Sequence, residues 1–370
     1  MRSFDRALAA ILLASTPAAA LPPAAPLASA ARPVDLVPYV VKPGDTLLGL
    51  ANLYLLRMED FRTVQKLNRI TDPYHLPVGS MLRIPRALLK ELPVEARIVA
   101  FRGDVRVNGQ SARLGALVRE GSRIETAANA AVSLVLEDRS TVTLPSQSTI
   151  RVERLRRLAI LGEAQRLFRL EAGRSQYVVT PSTHAGDRFE IRTPVSVAAV
   201  RGTEFRVNVV DAAGSATSEV IKGTVGVAGK SGAISLPVGF GARSEPGSVG
   251  RPVPLLQPPE IKGPIWHRKD GSLTFTLTAI PGATRYRLQI AADPAFQDLR
   301  EEAVSDKPVI SFATAPVGTY FLRMTAIDAM GLEGLPRVRP FHYLPNTSHP
   351  GSTGETDTAP TPSPSGGPTR

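Results

Sequence analysis

The chain has 370 residues, no cysteine, 33 prolines and 30 glycines, only 5% aromatic residues and a formal charge of +11. That length exceeds what one core usually serves, and the composition favours short strands and turns over long helices, so a mainly β, multidomain protein is expected. The missing thiol excludes disulfides, a thiolate nucleophile, a lipid-bearing cysteine and cysteine-ligated metal.

Residues 1–30 read as a secretory signal peptide with a small-residue leader. Arg2 and Arg6 precede an apolar run from Ala7 to Ala14, then small residues and prolines, with Ala20 and Ala30 as alternative cleavage points. The run is short of the roughly 20 residues a membrane helix needs. Export without disulfides suits a bacterial periplasm or wall. Residues 96–245 carry an excess of 7 positive charges and residues 37–86 an excess of 3. After a signal peptide no nucleic acid is expected as partner; anionic wall polymers, peptide carboxylates or lipid headgroups are the available counter-charges.

The first folded region, residues 37–86, predicts the order βααβ. A strand at Tyr39–Lys42 leads through Pro43 and Gly44 to Asp45, a candidate helix N-cap. Leu47, Leu50, Ala51 and Tyr54 then follow helical spacing. Asp60 is the candidate cap of a second helix that faces inward with Phe61, Val64 and Leu67, and a strand at Met81–Ile84 closes the unit. The V-x-x-G-D-T-L opening at Val41–Leu47, the Leu67-Asn68 pair and the P-x-G-x-x-L-x-I-P close from Pro77 to Pro85 resemble the LysM family. The resemblance implies binding of N-acetylglucosamine-containing glycan, usually peptidoglycan, in a shallow groove. By the same resemblance Gly44, Asp45, Thr46 and Leu47 form one wall and Ile70, Thr71, Asp72 and Pro73 the other. A groove for sugar needs apolar surface against ring faces and short polar groups for the acetamide and hydroxyls. Pro73 and Tyr74 otherwise only shape a turn, and His75 reads as an isolated surface residue.

Residues 95–245 read as successive strands, with Val132, Leu134 and Leu136, then Val142 and Leu144, then Ile150 and Val152 in alternation. Four strand-glycine-strand units recur at Gly103, Gly173, Gly202 and Gly223, which suggests a sandwich, roll or short β-helix built from hairpin-like corners. Ile191–Val207 with the following EVIKGTVGV resembles the FecR family, through Thr193, Pro194, Arg201, Gly202, Thr203, Glu204 and Phe205. That family implies periplasmic signalling, but a cytoplasmic anti-sigma segment and a membrane helix precede the domain in its regulators, whereas here a leader and the LysM-like unit do. Arg201 and Glu204 are expected to fix a corner by an ion pair or backbone capping. Arg151, Arg154, Arg156, Arg157, Arg166 and Arg169 either bind anions or solvate a strand and loop.

Residues 246–264 read as a proline-rich linker and 346–370 as a disordered tail with almost nothing apolar to bury. Between them, residues 265–345 alternate cleanly at Leu273, Phe275 and Leu277, at Tyr286, Leu288 and Ile290, and at Tyr320, Leu322 and Met324. This is β-sandwich patterning. It resembles fibronectin type III or other Ig-like domains, with Trp266 in the core and Tyr320 as the corner tyrosine.

Catalysis finds little support. The five histidines are scattered, with no H-x-H or H-E-x-x-H pair to place two metal ligands on one face, so neither metal nor cofactor is expected. His184 to Asp187, the Gly229-Lys230-Ser231 tripeptide and Arg102-Gly103-Asp104 read as chance matches. Two readings of function remain: a non-enzymatic envelope protein holding peptidoglycan, or a sensory component that relays a signal to a membrane sensor or other envelope protein.

Overall fold

The structure, a computed structural model, describes residues 35–263, 265–267, 272–313 and 318–343. The leader and tail lie outside the described residues. The first region is a two-stranded antiparallel sheet, Leu36–Val40 with Met81–Pro85, carrying the helices Leu47–Tyr54 and Phe61–Asn68. Val37, Tyr39, Leu82 and Ile84 alternate inward and meet Leu47, Leu50, Ala51 and Val64. This is the expected βααβ order. One inward expectation fails, because Leu67 is 43% exposed and leaves Val64 as the buried contact of its helix.

The middle region is built from two sheets closed around one core. One sheet runs from Val105–Val107 through Arg123–Thr126, Ser148–Leu158, Ala164–Val178, Arg188–Arg192, Val197–Val200 and Thr224–Gly229 to Gly232–Pro237. The other runs from Ala96–Arg102 through Ala131–Leu136, Thr141–Leu144, the same Ala164–Val178, Glu204–Val209 and Ala216–Lys222 to Phe240–Glu245. The 15-residue strand Ala164–Val178 therefore belongs to both.

The repeated glycines mark where the chain changes sheet, which corrects the expectation of hairpin corners. Gly103, Gly202 and Gly223 lie between strands of opposite sheets, and Gly173 sits inside the shared strand where its partners switch. Gly173 has φ 73°, and a Cβ there would lie 2.1 Å from the Gln147 carbonyl oxygen. Only glycine combines that left-handed backbone with so close an approach.

The third region packs three strands, Trp266–His267, Leu273–Thr276 and Val309–Phe312, over a four-stranded sheet ordered Leu299–Ser305, Ala283–Ala291, Gly318–Asp328 and Arg337–Tyr343. Phe275, Leu288, Ile290, Leu322 and Met324 fill the space between them as a β-sandwich core. Tyr320, the expected corner residue, lies in this core, and a second tyrosine, Tyr286, bridges the loop before its strand, its hydroxyl accepting the Ile280 N–H at 2.9 Å. The expected core role of Trp266 concerns a side chain outside those described.

The regions are tied together. Leu158, with Ile160 and Leu161, reaches from the tip of the long middle hairpin into the core of the first region, and Arg86 pairs with Glu163 at 3.0 Å. The stretch expected as a linker is strapped down instead. Ser248–Val249 and Val253–Pro254 pair with Phe240–Glu245, Leu255 is buried, and the Leu256 carbonyl accepts the Leu335 N–H. Its prolines suit this edge position, where a missing N–H costs no ladder bond.

Candidate functional site

In the first region the turn at Gly44 (φ 86°) brings the chain from strand to helix. Asp45 Oδ2 accepts the Lys42 N–H and the Tyr39 hydroxyl, both at 2.7 Å. Burial together with this carboxylate pushes the Tyr39 phenol up to about 12. The helix cap is Thr46, whose Oγ1 accepts the Gly49 N–H at 3.0 Å, so the expectation for Asp45 is corrected: its carboxylate ties the turn back to the strand. Asp60 makes no side-chain cap bond either. Its carboxylate is drawn away by Arg57, 2.9 Å distant.

The second wall lies against the first, because the Leu47 N–H donates to the Pro73 carbonyl at 2.9 Å. Asp72 shapes its loop by accepting the Tyr74 N–H at 2.8 Å and facing His75 Nδ1 at 2.7 Å. The Tyr74 N–H and the imidazole hold the Asp72 carboxyl below its ordinary value. His75 is thus exposed but not isolated. Ile70 is half-buried and pinned by Gln65 through two hydrogen bonds, and Thr71 and Asp72 stand in solvent. Leu47 is 1% exposed, so its side chain serves the core and cannot line a groove. The residue that sequence reasoning left as a turn former is Tyr74, which is 62% exposed and whose N–H bonds Asp72. An aromatic two residues after Asp72, between Pro73 and His75, was the available signal. The surface offers backbone amides, a hydroxyl, a carboxylate and one flat ring. Such a set matches a neutral polyhydroxylated ligand.

The middle-region motif is spent on the fold. Thr193 Oγ1 accepts the N–H groups of Val195 and Ser196 and so closes the turn between Arg188–Arg192 and Val197–Val200. Pro194 packs where a Cβ on Gly214 would come within 2.7 Å. Gly202 (φ 97°) passes against Pro181, and Phe205 stacks on Tyr177 with ring centroids 4.8 Å apart. Arg201 caps the Ala185 carbonyl at 3.0 Å; no ion pair joins it to Glu204 among the described residues.

Of the arginine cluster, Arg151 pairs with Glu171, Arg156 with Glu120, Arg166 with Asp138 and Arg169 with Glu153. Asp187 near His184 holds its own turn, accepting from Ser182 Oγ and the Ala164 N–H at 2.7 Å each. Among the described residues no group of three His, Asp or Glu side chains is placed to hold a metal ion. No helix there is long and apolar enough to cross a membrane.

Comparison with known proteins agrees with this division. Residues 39–85 match the family model of the LysM domain and residues 122–226 that of FecR protein. No curated protein matches. Among solved structures, a candidate anti-sigma factor from Parabacteroides distasonis is 18% identical over 35% of this chain and 57% of its own, with a TM-score of 0.29. This chain thus spans little more than half of that one. The chicken CNTN1 FN1–FN3 domains are 8% identical over 68% of this chain and 90% of theirs, with a TM-score of 0.20. Neither likeness extends to function. The chain accordingly combines a LysM region, a FecR region and a C-terminal β-sandwich in one mainly β protein.

Proposed function

We propose that this chain is a non-enzymatic periplasmic protein that holds the N-acetylglucosamine glycan of peptidoglycan through residues 37–86, with the FecR-like region as its interaction domain. The observation that carries the reading is the hydrogen bond from the Leu47 N–H to the Pro73 carbonyl, which sets the two groove walls side by side. Thr71 and Asp72 form the polar side, Pro73 ties their loop to the first turn, and Tyr74 supplies a ring face. Gly44, Asp45 and Thr46 hold the opposite wall in shape, Gly44 through its left-handed backbone and Asp45 and Thr46 through side-chain bonds within the turn. The C-terminal β-sandwich, similar in strand arrangement to fibronectin type III domains, acts as a spacer or protein-contact surface.

This reading changes which substitutions are informative. Replacing Asp45 and Thr46 tests the fold of the turn, whereas Thr71→Ala with Tyr74→Ala tests the groove. The double variant should keep the wild-type circular dichroism and lose most co-sedimentation with purified sacculi, and soluble N-acetylglucosamine oligomers should compete with the wild type. Undiminished co-sedimentation by the folded double variant would remove the groove assignment. A second reading, a relay to a membrane sensor, is favoured by the FecR match over residues 122–226. In-cell crosslinking from that region to a membrane protein would support it.

A further inference from the structure

Where the C-terminal sandwich meets the middle region, four arginines line one small cavity. Arg174 and Arg206 come from the strands Ala164–Val178 and Glu204–Val209, Arg287 and Arg323 from Ala283–Ala291 and Gly318–Asp328. Their charges are not balanced. Glu333 is shared by Arg174, Arg206 and Arg287, while Glu302 lies 3.3 Å from Arg287 and Glu219 3.8 Å from Arg206. Arg323 has no carboxylate within 4.0 Å among the described residues. Its Nε donates to Gln289 Oε1 at 2.8 Å and its guanidinium lies 4.2 Å from the centre of the Phe296 ring, both neutral partners. Glu204 pulls on it from further away and stands opposite Lys222 in strand register.

These four guanidiniums therefore exceed Glu219, Glu302 and Glu333 by one charge, and the burial that raises Glu219 to about 7 widens the excess. Burial also pushes Arg174 and Arg323 down to about 10, which still leaves both protonated at neutral pH. An unmatched charge held away from water is costly. Two donors are left over as well: Nε of Arg206 and Nε of Arg287 are buried without a hydrogen-bond partner, in side chains only 8% and 6% exposed. The cavity they line measures about 20 Å³. One water needs roughly 10–15 Å³ by the same measure, so the space suits a single water or halide and is too small for a five-atom oxyanion. A water answers the donors alone, whereas an anion answers the donors and the charge.

We propose that this cavity binds one small monovalent inorganic anion, of chloride size, between the arginines of the two regions. The anion bridges cations from both sides, so docking of the sandwich on the middle region depends on it. The site is independent of the glycan groove.

The experiment uses the full chain, with bromide and chloride as probes. Crystals grown in sodium bromide should show an anomalous peak in the cavity. In urea unfolding, the midpoint should rise with the logarithm of chloride concentration and stand above that in sodium gluconate of equal ionic strength, an anion too large to enter. Salts of excluded anions stabilise proteins generally, so this order runs against the non-specific trend. Arg323→Gln should abolish the chloride response. Arg323→Lys, which keeps the charge, should retain part of it, and Arg106→Gln, at an exposed arginine paired with Asp104, all of it. No bromide in the cavity would overturn the site, as would a chloride midpoint no higher than that in gluconate. A chloride response that Arg323→Gln leaves whole would place the anion elsewhere and overturn it too.

Discussion

Removing the charge of Glu333 should uncouple the C-terminal sandwich from the middle region. Its carboxylate, fully buried between the two, accepts from Arg206 Nη1 at 2.9 Å, Arg287 Nη1 at 3.0 Å, Arg174 Nη1 at 3.4 Å and Thr325 Oγ1 at 2.8 Å. Arg174 and Arg206 come from the middle region, Arg287 and Thr325 from the sandwich. Burial alone would raise this carboxyl, but the opposing attraction of Arg206, Arg287 and Arg174 wins and holds it well below the usual carboxylate range. Glu333→Gln keeps the shape and leaves the guanidiniums facing only Glu219 at 3.8 Å and Glu302 at 3.3 Å. Breaking a buried pair costs about 3–5 kcal/mol. Undocking would rehydrate the arginines, so the measured loss is bounded by the docking free energy. Urea unfolding followed by fluorescence of Trp266, the single tryptophan, reports on the sandwich. With a slope of about 1–3 kcal/mol per M, the midpoint should fall by about 1 M or more. Glu260→Gln, which disturbs the half-exposed pairs with Arg337 and Arg339, should cost less than about 1 kcal/mol. A Glu333→Gln midpoint equal to that of Glu260→Gln would refute the keystone role.

Three further outcomes follow from the same geometry. Gly173→Ala meets backbone at 2.1 Å and should cost about 3 kcal/mol or more in thermal unfolding. Gly109→Ala, at φ 78° with open space around it, should cost only about 1–2 kcal/mol; equal losses would show that packing at Gly173 is not the constraint. Phe205→Ala empties a fully buried site stacked on Tyr177 and should destabilise by about 3–5 kcal/mol in denaturant titration; a loss under about 1 kcal/mol would count against the stack as a core element. Glu219 is raised to about 7, chiefly by burial and against the pull of Arg206. A raised carboxyl gives stability that is complete below its unfolded value near 4.5 and is lost as pH rises through about 7. Glu219→Gln should therefore flatten the decline in urea midpoint between about pH 5 and pH 8, and a decline that persists would point to another group.

What the sequence made legible follows from the range of each interaction. Alternation at Leu273, Phe275 and Leu277, or at Val132, Leu134 and Leu136, depends on one strand having one wet face and one dry face, so a local pattern reports it. The two turns proposed as groove walls were legible as turns for a similar reason, being short and having their own residue chemistry. Leu47 misled because a residue inside a recognised motif can serve the core, and Tyr74 was passed over because exposure cannot be seen from spacing. The recurring glycines announced corners, but which sheet each strand joins is settled by pairings such as Ser175 with Val207, 32 residues apart.

Glu333 lies furthest from local legibility. Along the chain it is one acid between two glycines and a leucine. Its partners, Arg174 and Arg206, stand 159 and 127 residues away. Arg174, Arg206, Arg287 and Arg323, with Glu219 and Glu302, meet around it only after both regions have formed. Such a cluster adds little net stability over an apolar contact, since the desolvation of each charge offsets most of the attraction. What it adds is orientation: Arg206 Nη2 also donates to the Glu333 and Gly334 carbonyls at 2.6 Å, a match lost if the sandwich slides by one residue. A smooth apolar interface would tolerate that slide. The buried charges therefore fix how the sandwich sits on the middle region. A contact made on the sandwich accordingly has a stiff path to the FecR-like strands, whereas in the Glu333→Gln protein that path should be loose.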